Sequence, residues 1–138
     1  LADPAVRHAQ VERMLNHRNA ASFVRGFTRC WLRLDKLGSM PPPGGFYFHR
    51  QMEPQMLKQT DAYFADLIGR NGPVRDLIES DYTLLNERTA QWIYQRSDVW
   101  GDAFRKVPAL PPHGGGMLTM PARADQETLA YEIKPAKR

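Results

Sequence analysis

Apolar residues recur at intervals of three and four along the first two thirds of the chain, the period of a helix with one buried face. Asp3-Pro4 opens the first such segment. An Asp at the cap accepts from orphan amides, and Pro is tolerated at the first helical position. The segment runs to about residue 16, with Val11, Met14 and Leu15 on one face. A second helix over residues 19–36 has the clearest pattern: Ala20, Phe23, Val24, Phe27, Trp31 and Leu34 form an apolar stripe. Arg18, Ser22, Arg25, Arg29 and Arg33 line the opposite side. It must stop before Gly38, and Pro41-Pro42-Pro43-Gly44-Gly45 is a firm breaker. Phe46, Tyr47 and Phe48 follow as an aromatic run within a loop.

A third helix is predicted over residues 51–70, burying Met52, Met56, Tyr63, Phe64, Leu67 and Ile68. Pro54 fits there only in a first turn. Asn71-Gly72-Pro73 closes this helix, and a short helical turn around residues 74–79 follows. A further helix over residues 86–95 carries Ala90 and Ile93 inward. Asn86 is its N-cap, with Glu87 favourable beside the positive helix end; Thr83 is the alternative cap. Burial of Tyr82, Leu84 and Leu85 would pin the junction. Beyond Gly101 the chain turns extended and rich in Pro and Gly, through Pro108, Pro111-Pro112 and Gly114-Gly115-Gly116. No internal repeat occurs, and no period-2 run is long enough for a central strand. The expected fold is all-α, an irregular bundle of four to five helices over residues 1–100, followed by a loop-rich tail over residues 101–138.

A length of 138 residues fits one compact domain. With 42% hydrophobic and 25% charged residues, the chain can bury a core without metals or disulfides. No run approaches the roughly 18 apolar residues of a membrane span, and no basic-then-apolar signal pattern opens the chain. The formal charge of +4 is unevenly spread. Residues 1–50 carry a balance of +5 and residues 51–100 one of −3. Such asymmetry suits nucleic acid, two complementary faces of one domain, or a face for an acidic partner. The single Cys30 excludes an intrachain disulfide and multi-cysteine zinc sites. Its apolar helical setting predicts a buried, inert thiol.

Few motifs carry chemistry. Arg25, Arg29 and Arg33 are four apart and would stack along one helix face, where guanidinium groups suit phosphates or carboxylates. The plainer reading, a solvated polar face, is preferred because no nucleic-acid-binding motif accompanies them. His49 and Glu53 offer two metal ligands at helical spacing, but no third or fourth. The triple glycine lacks the Lys-Ser/Thr of a phosphate loop and reads as a flexible turn. Phe46, Tyr47 and Phe48 could stack on sugars or bases, although packing onto the core is favoured. No nucleophile elbow and no Ser-x-x-Lys occur, and sequence alone does not pair carboxylates such as Asp35, Asp81 and Glu87 into a general acid and base. No catalytic, cofactor or metal residues are assigned.

Four strings in order resemble a helical domain of unknown function from large cytochrome-c-associated proteins of planctomycete type. They are VERMLNHRNAASFVRGFTRCWLRLDKL, the Pro-rich break leading to QMLKQTDAYFADLI, PVRDLIESDYTLLNERTA, and FRKVPALPPHGGGMLTMPA. The family-like positions are Trp31, Leu32, Tyr82, Asn86, Glu87, Ala90, Gly116, Leu118 and Thr119. The last string resembles the start of a following domain that normally runs on past Arg138, which implies a segment of a longer protein or a shortened relative. The resemblance implies a periplasmic or extracellular setting and leaves haem to a separate module, with no cofactor in this chain. It carries over no catalytic residue. Gln59 stands where the family usually has Glu, Trp92-Ile93-Tyr94-Gln95 replaces a His-Tyr-Gly ending, and a glycine replaces an Arg in the glycine turn.

The leading expectation is a non-catalytic structural or interaction module whose partners are proteins or other domains. Its interaction candidates are Arg25, Arg29, Arg33, Phe46, Tyr47 and Phe48, with Trp31, Tyr82, Asn86 and Glu87 as structural positions. The alternative is part of an oxidoreductase or carbohydrate-processing enzyme completed by other modules, which a cleft joining Asp81, Asn86 or Glu87 with His113 would support and scattered positions would count against. Nucleic-acid binding through the arginines ranks third.

Overall fold

The computed structural model describes residues 3–37, 46–110 and 115–122, with the backbone alone for residues 36 and 46–51. Four α-helices are described: α1 (Pro4–Leu15), α2 (Ala20–Trp31), α3 (Phe46–Gly69) and α4 (Glu87–Trp92). They are joined by a two-stranded antiparallel sheet of β1 (Tyr82–Leu85) and β2 (Arg105–Pro108). The fold is therefore mixed, mostly helical, and not all-α.

The helix starts follow local rules. Asp3 accepts from the Ala5 N–H at 2.9 Å, and Pro4 is the first helical residue. Asn86 and Thr89 form a reciprocal capping box, Thr89 N–H to Asn86 Oδ1 at 2.9 Å and Asn86 N–H to Thr89 Oγ1 at 3.0 Å. At the end of α3, Asn71 adopts a left-handed φ of 50°. The Gly72 N–H then reaches Leu67 O at 2.8 Å and the Asn71 N–H reaches Ile68 O at 3.0 Å, a Schellman closure.

Three boundaries differ from expectation. α2 stops at Trp31 because Arg33 turns left-handed at φ 57°. Leu32, Leu34 and Leu37 are all buried, which one continuing helix could not achieve. At 100° per residue, Leu32 and Leu34 would point about 160° apart. α3 begins at Phe46, so Phe46, Tyr47 and Phe48 belong to its first turns rather than to a loop; their side chains lie outside the described set. Pro54 consequently falls in the helix interior, on an exposed position. α4 ends at Trp92, and Gln95 turns back at φ 53°.

The sheet escaped the periodicity because β1 is buried on both faces. Tyr82 and Leu84 join the main cluster with Met52, Met56 and Tyr63 of α3. Leu85 joins a smaller cluster with Ala90 and Val99. A four-residue strand covered on both sides shows no alternation. The register pairs Tyr82 with Pro108 and Leu85 with Arg105.

The glycine turn is also corrected. Ser80 and Gly115 form an antiparallel bridge, and a Cβ on Gly115 would lie 1.9 Å from Ser80 O. Gly116 has φ 106°, and its Cβ would meet Ile78 O at 2.4 Å. These two glycines seat one backbone against another; Gly114 lies outside the described residues. The approach carries Met117, Met120 and Ala122 into the main core.

Candidate interaction surface

α2 divides its apolar stripe between two environments. Val24 and Thr28 are buried against α3. Phe23, Phe27 and Trp31 are 52%, 38% and 44% exposed and form a ladder on the flank. The rings of Phe27 and Phe64 stack at 4.7 Å, and Phe27 lies 6.0 Å from Phe23 and 5.6 Å from Trp31. α1 buries no residue at all; Val11, Met14 and Leu15 remain exposed along its apolar face.

Two grooves result. One of about 450 Å³ runs between α1 and α2, walled by Val11, Met14, Leu15, Ala20 and Phe23, with Arg13, His17 and Asn19 at its margin. The second, of about 1120 Å³, lies among α1, α2, α3 and residues 102–104. Small residues, Ala20, Ala21, Ala62, Ala65 and Gly69, line it together with Arg25, Arg29, Lys58, Asp61 and Asp102.

The arginine row does not continue past α2. Arg25 donates to Ser22 Oγ at 3.1 Å, and Arg29 lies 3.7 Å from Asp61. Arg33 sits beyond the helix end, in left-handed backbone, off the face shared by the other two. Asp61 also accepts from the Thr28 hydroxyl at 2.7 Å, joining α2 to α3. Nothing in helical spacing announces that link, because its partners are 33 residues apart. Cys30 is exposed, against the expectation of a buried thiol: it lies outside the strip that faces α3.

The other polar clusters do structural work. Arg70 Nη2 donates to the Tyr82 hydroxyl and to Asp76, each at 2.6 Å. Tyr82 donates to Asp66 at 3.0 Å, stacks on Tyr63 at 5.1 Å and carries Lys106 Nζ 3.7 Å from its ring centre. Burial holds the Tyr82 phenol well above its ordinary pKa despite the hydrogen bond from Arg70, so it serves as a neutral donor. Sequence reasoning missed this cluster; the i, i+4 spacing of Asp66 and Arg70 was the signal for one pair, and nothing local announces Asp76 and Tyr82.

Gln59, fully buried, donates to Tyr94 Oη at 2.9 Å and Thr83 Oγ1 at 3.3 Å. Its Oε1 has no partner among the described residues. Burial also raises the Tyr94 phenol.

The residues of the enzyme alternative are engaged elsewhere. Asn86 is a buried cap that also donates to Gln55 Oε1 at 3.0 Å. Glu87 clasps Gly101, accepting its N–H at 2.8 Å and donating its own N–H to Gly101 O at 3.0 Å. Asp81 is exposed, and neither groove is lined by Asp81, Asn86 or Glu87. His113 and the side chain of His49 lie outside the described set. Among the described residues no group of three or more His, Cys, Asp or Glu is placed to hold a metal, and no helix is long and apolar enough to cross a membrane.

The model of a family described as PSD4, protein of unknown function (DUF1592), matches residues 1–95. The chain belongs to this family. No curated protein and no solved structure matches it. The PSD4 match spans α1 to α4 and β1, while β2 and the buried Met117 and Met120 lie beyond it.

Proposed function

We propose that this PSD4 chain is a non-catalytic interaction module of a larger extracytoplasmic, cytochrome-associated assembly. The observation that carries the reading is α1, a complete helix of 12 residues with no buried side chain. A helix of that length is marginal in water unless its apolar face is covered. That face runs on into Phe23, Phe27 and Trp31, making the kind of contiguous apolar surface that marks a protein contact. The capping and packing roles of Asn86 and Tyr82 support this reading. The extracytoplasmic and haem-associated setting rests on the resemblance of the four strings, with haem carried by another module.

The test is light scattering, intact mass and a visible spectrum on material purified from its native source. A stoichiometric co-purifying polypeptide or a longer parent chain, with a haem band, is the expected result. A colourless monomer of 15.8 kDa, alone in solution, overturns the reading.

A further inference from the structure

We propose that α1 is a hinged arm that closes onto α3 in the free chain and must be released before a protein partner can use its apolar face. The inference rests on the interaction-module reading and gives that contact its regulation. Among the described residues no hydrogen bond or ion pair ties residues 3–15 to α2, α3 or the sheet. The polar contacts of α1 are its own: Asp3 caps it, Arg13 donates to Gln10, and His8 lies 3.3 Å from Glu12. Residues 16–19 join it to α2 and are held by local bonds, Asn19 N–H to His17 Nδ1 at 3.2 Å and Ala20 N–H to His17 O at 2.8 Å. A few residues at the end of an element suffice to absorb the φ and ψ changes of a hinge.

The seat follows from what lines the two grooves. Val11 and Leu15, one turn apart, line both, so seating them in one withdraws them from the other. In the larger groove they share the space with Ala62 and Ala65 of α3, small enough to admit larger side chains from a facing helix. Val11 and Leu15 are 47% and 37% exposed, so the seat stands open in this structure.

Charge separates the two sides of α1. Glu12, its only acid, lines the larger groove, and Arg13 lines the smaller one. On the far walls of the larger groove Arg25, Arg29 and Lys58 stand against Asp61 and Asp102, and Glu12 brings that balance to zero. Asp61 is engaged by the Thr28 hydroxyl and by Arg29. Arg25 donates only to Ser22, and neither it nor Lys58 has a carboxylate partner among the described residues. Closing the arm brings Glu12 to these cations and leaves Arg13 outside, whereas the opposite face would set Arg13 against them. Covering the stripe also stabilises a 12-residue helix that is marginal by itself. A partner that needs Val11 and Leu15 then binds only the open fraction, and its affinity falls by that fraction.

Backbone hydrogen exchange on the full chain reads the position of the arm. The amides of residues 8–15 are expected to exchange at least about tenfold more slowly than in a peptide of residues 3–19. Ala65→Trp fills the seat and Leu15→Asp spoils the stripe, and each should return those amides to the peptide rate while the melting midpoint holds. Glu12→Arg should lose most of the protection, and adding Arg25→Glu should restore it, which a change in helix propensity alone cannot do. Ala65→Trp should also raise recovery of the co-purifying polypeptide from the native source at least about twofold. Peptide-like exchange in the parent chain overturns the closed arm, and leaves the module standing if a polypeptide still co-purifies. Protection indifferent to both Ala65→Trp and Glu12→Arg overturns α3 as the seat. Protection that follows these variants in a chain that purifies alone upholds closure and removes the partner, and with it the module reading.

Discussion

Replacing Asn86 with Ala tests whether a side chain at 2% exposure holds the β1–α4 junction as a cap. The substitution removes the acceptor of the Thr89 N–H at 2.9 Å and the donor to Gln55 at 3.0 Å. Loss of an N-cap costs about 1 kcal/mol. For an amide as buried as that of Thr89 the same loss is worth about 1–3 kcal/mol, and the missing bond to Gln55 adds about 1 kcal/mol. The expected loss is about 2–4 kcal/mol, a large share of the roughly 5–15 kcal/mol that holds a domain of this size. Urea unfolding followed by far-ultraviolet circular dichroism would show the midpoint falling by about 1–2 M for a slope near 2 kcal/mol/M. Asn86→Ser keeps an acceptor for the amide and gives up only the link to Gln55, so its loss should be about 1 kcal/mol. Thr89→Ala combined with Asn86→Ala should cost less than the sum of the two, because each residue caps the other. An Ala variant within about 0.5 kcal/mol of the parent, or Ala and Ser variants with equal losses, would refute the capping account.

Other substitutions probe the remaining joints. Gly115→Ala drives a Cβ to 1.9 Å from backbone that cannot swing aside, and should lower stability by more than about 2 kcal/mol in a thermal melt. Gly26→Ala, inside α2 with nothing within 4 Å of its Cβ, should instead raise stability by about 0.5–1 kcal/mol. Asp61→Ala removes the acceptor of the Thr28 hydroxyl and the carboxylate beside Arg29, and should cost about 1–2 kcal/mol; Asp61→Asn, which keeps an acceptor for Thr28, should cost less. Burial raises the Tyr82, Tyr63 and Tyr94 phenols. Each such contribution is whole below the unfolded value near 10 and is lost as pH rises through the folded one, because the unfolded chain ionises first. Stability measured against pH should therefore fall above about pH 10, and Tyr82→Phe should make that fall shallower. An unchanged slope would mean that Tyr82 titrates alike in both states.

How far the chain could be read in advance depended on the range of each interaction. Asp3-Pro4, Asn86 and Asn71-Gly72-Pro73 were legible as helix starts and stops, because a cap is made by groups within a few residues of each other. The inward face of α3 was legible for the same reason: Met52, Met56, Tyr63 and Phe64 fall on one side whatever they touch. The apolar stripe of α2 could be seen, but not that only Val24 and Thr28 of its middle would be covered and the aromatic flank left open.

Contacts between distant segments were settled by the tertiary structure alone. Tyr82, Leu84 and Leu85 read as a buried junction and Thr83 as an alternative cap; the four form a strand because Arg105–Pro108 comes alongside to pair with their backbone. The left-handed turn at Arg33 gains the burial of Leu32, Leu34 and Leu37 in a core that residues 19–36 cannot specify by themselves. Gly115 and Gly116 read locally as part of a flexible turn, whereas the backbone of Ser80 and Ile78 presses against them in the folded chain. Cys30 and the grooves beside α1 follow the same rule. Exposure is decided by which faces the other elements leave uncovered, and helical period, which reports which residues share a face, carries no record of the neighbour that face meets.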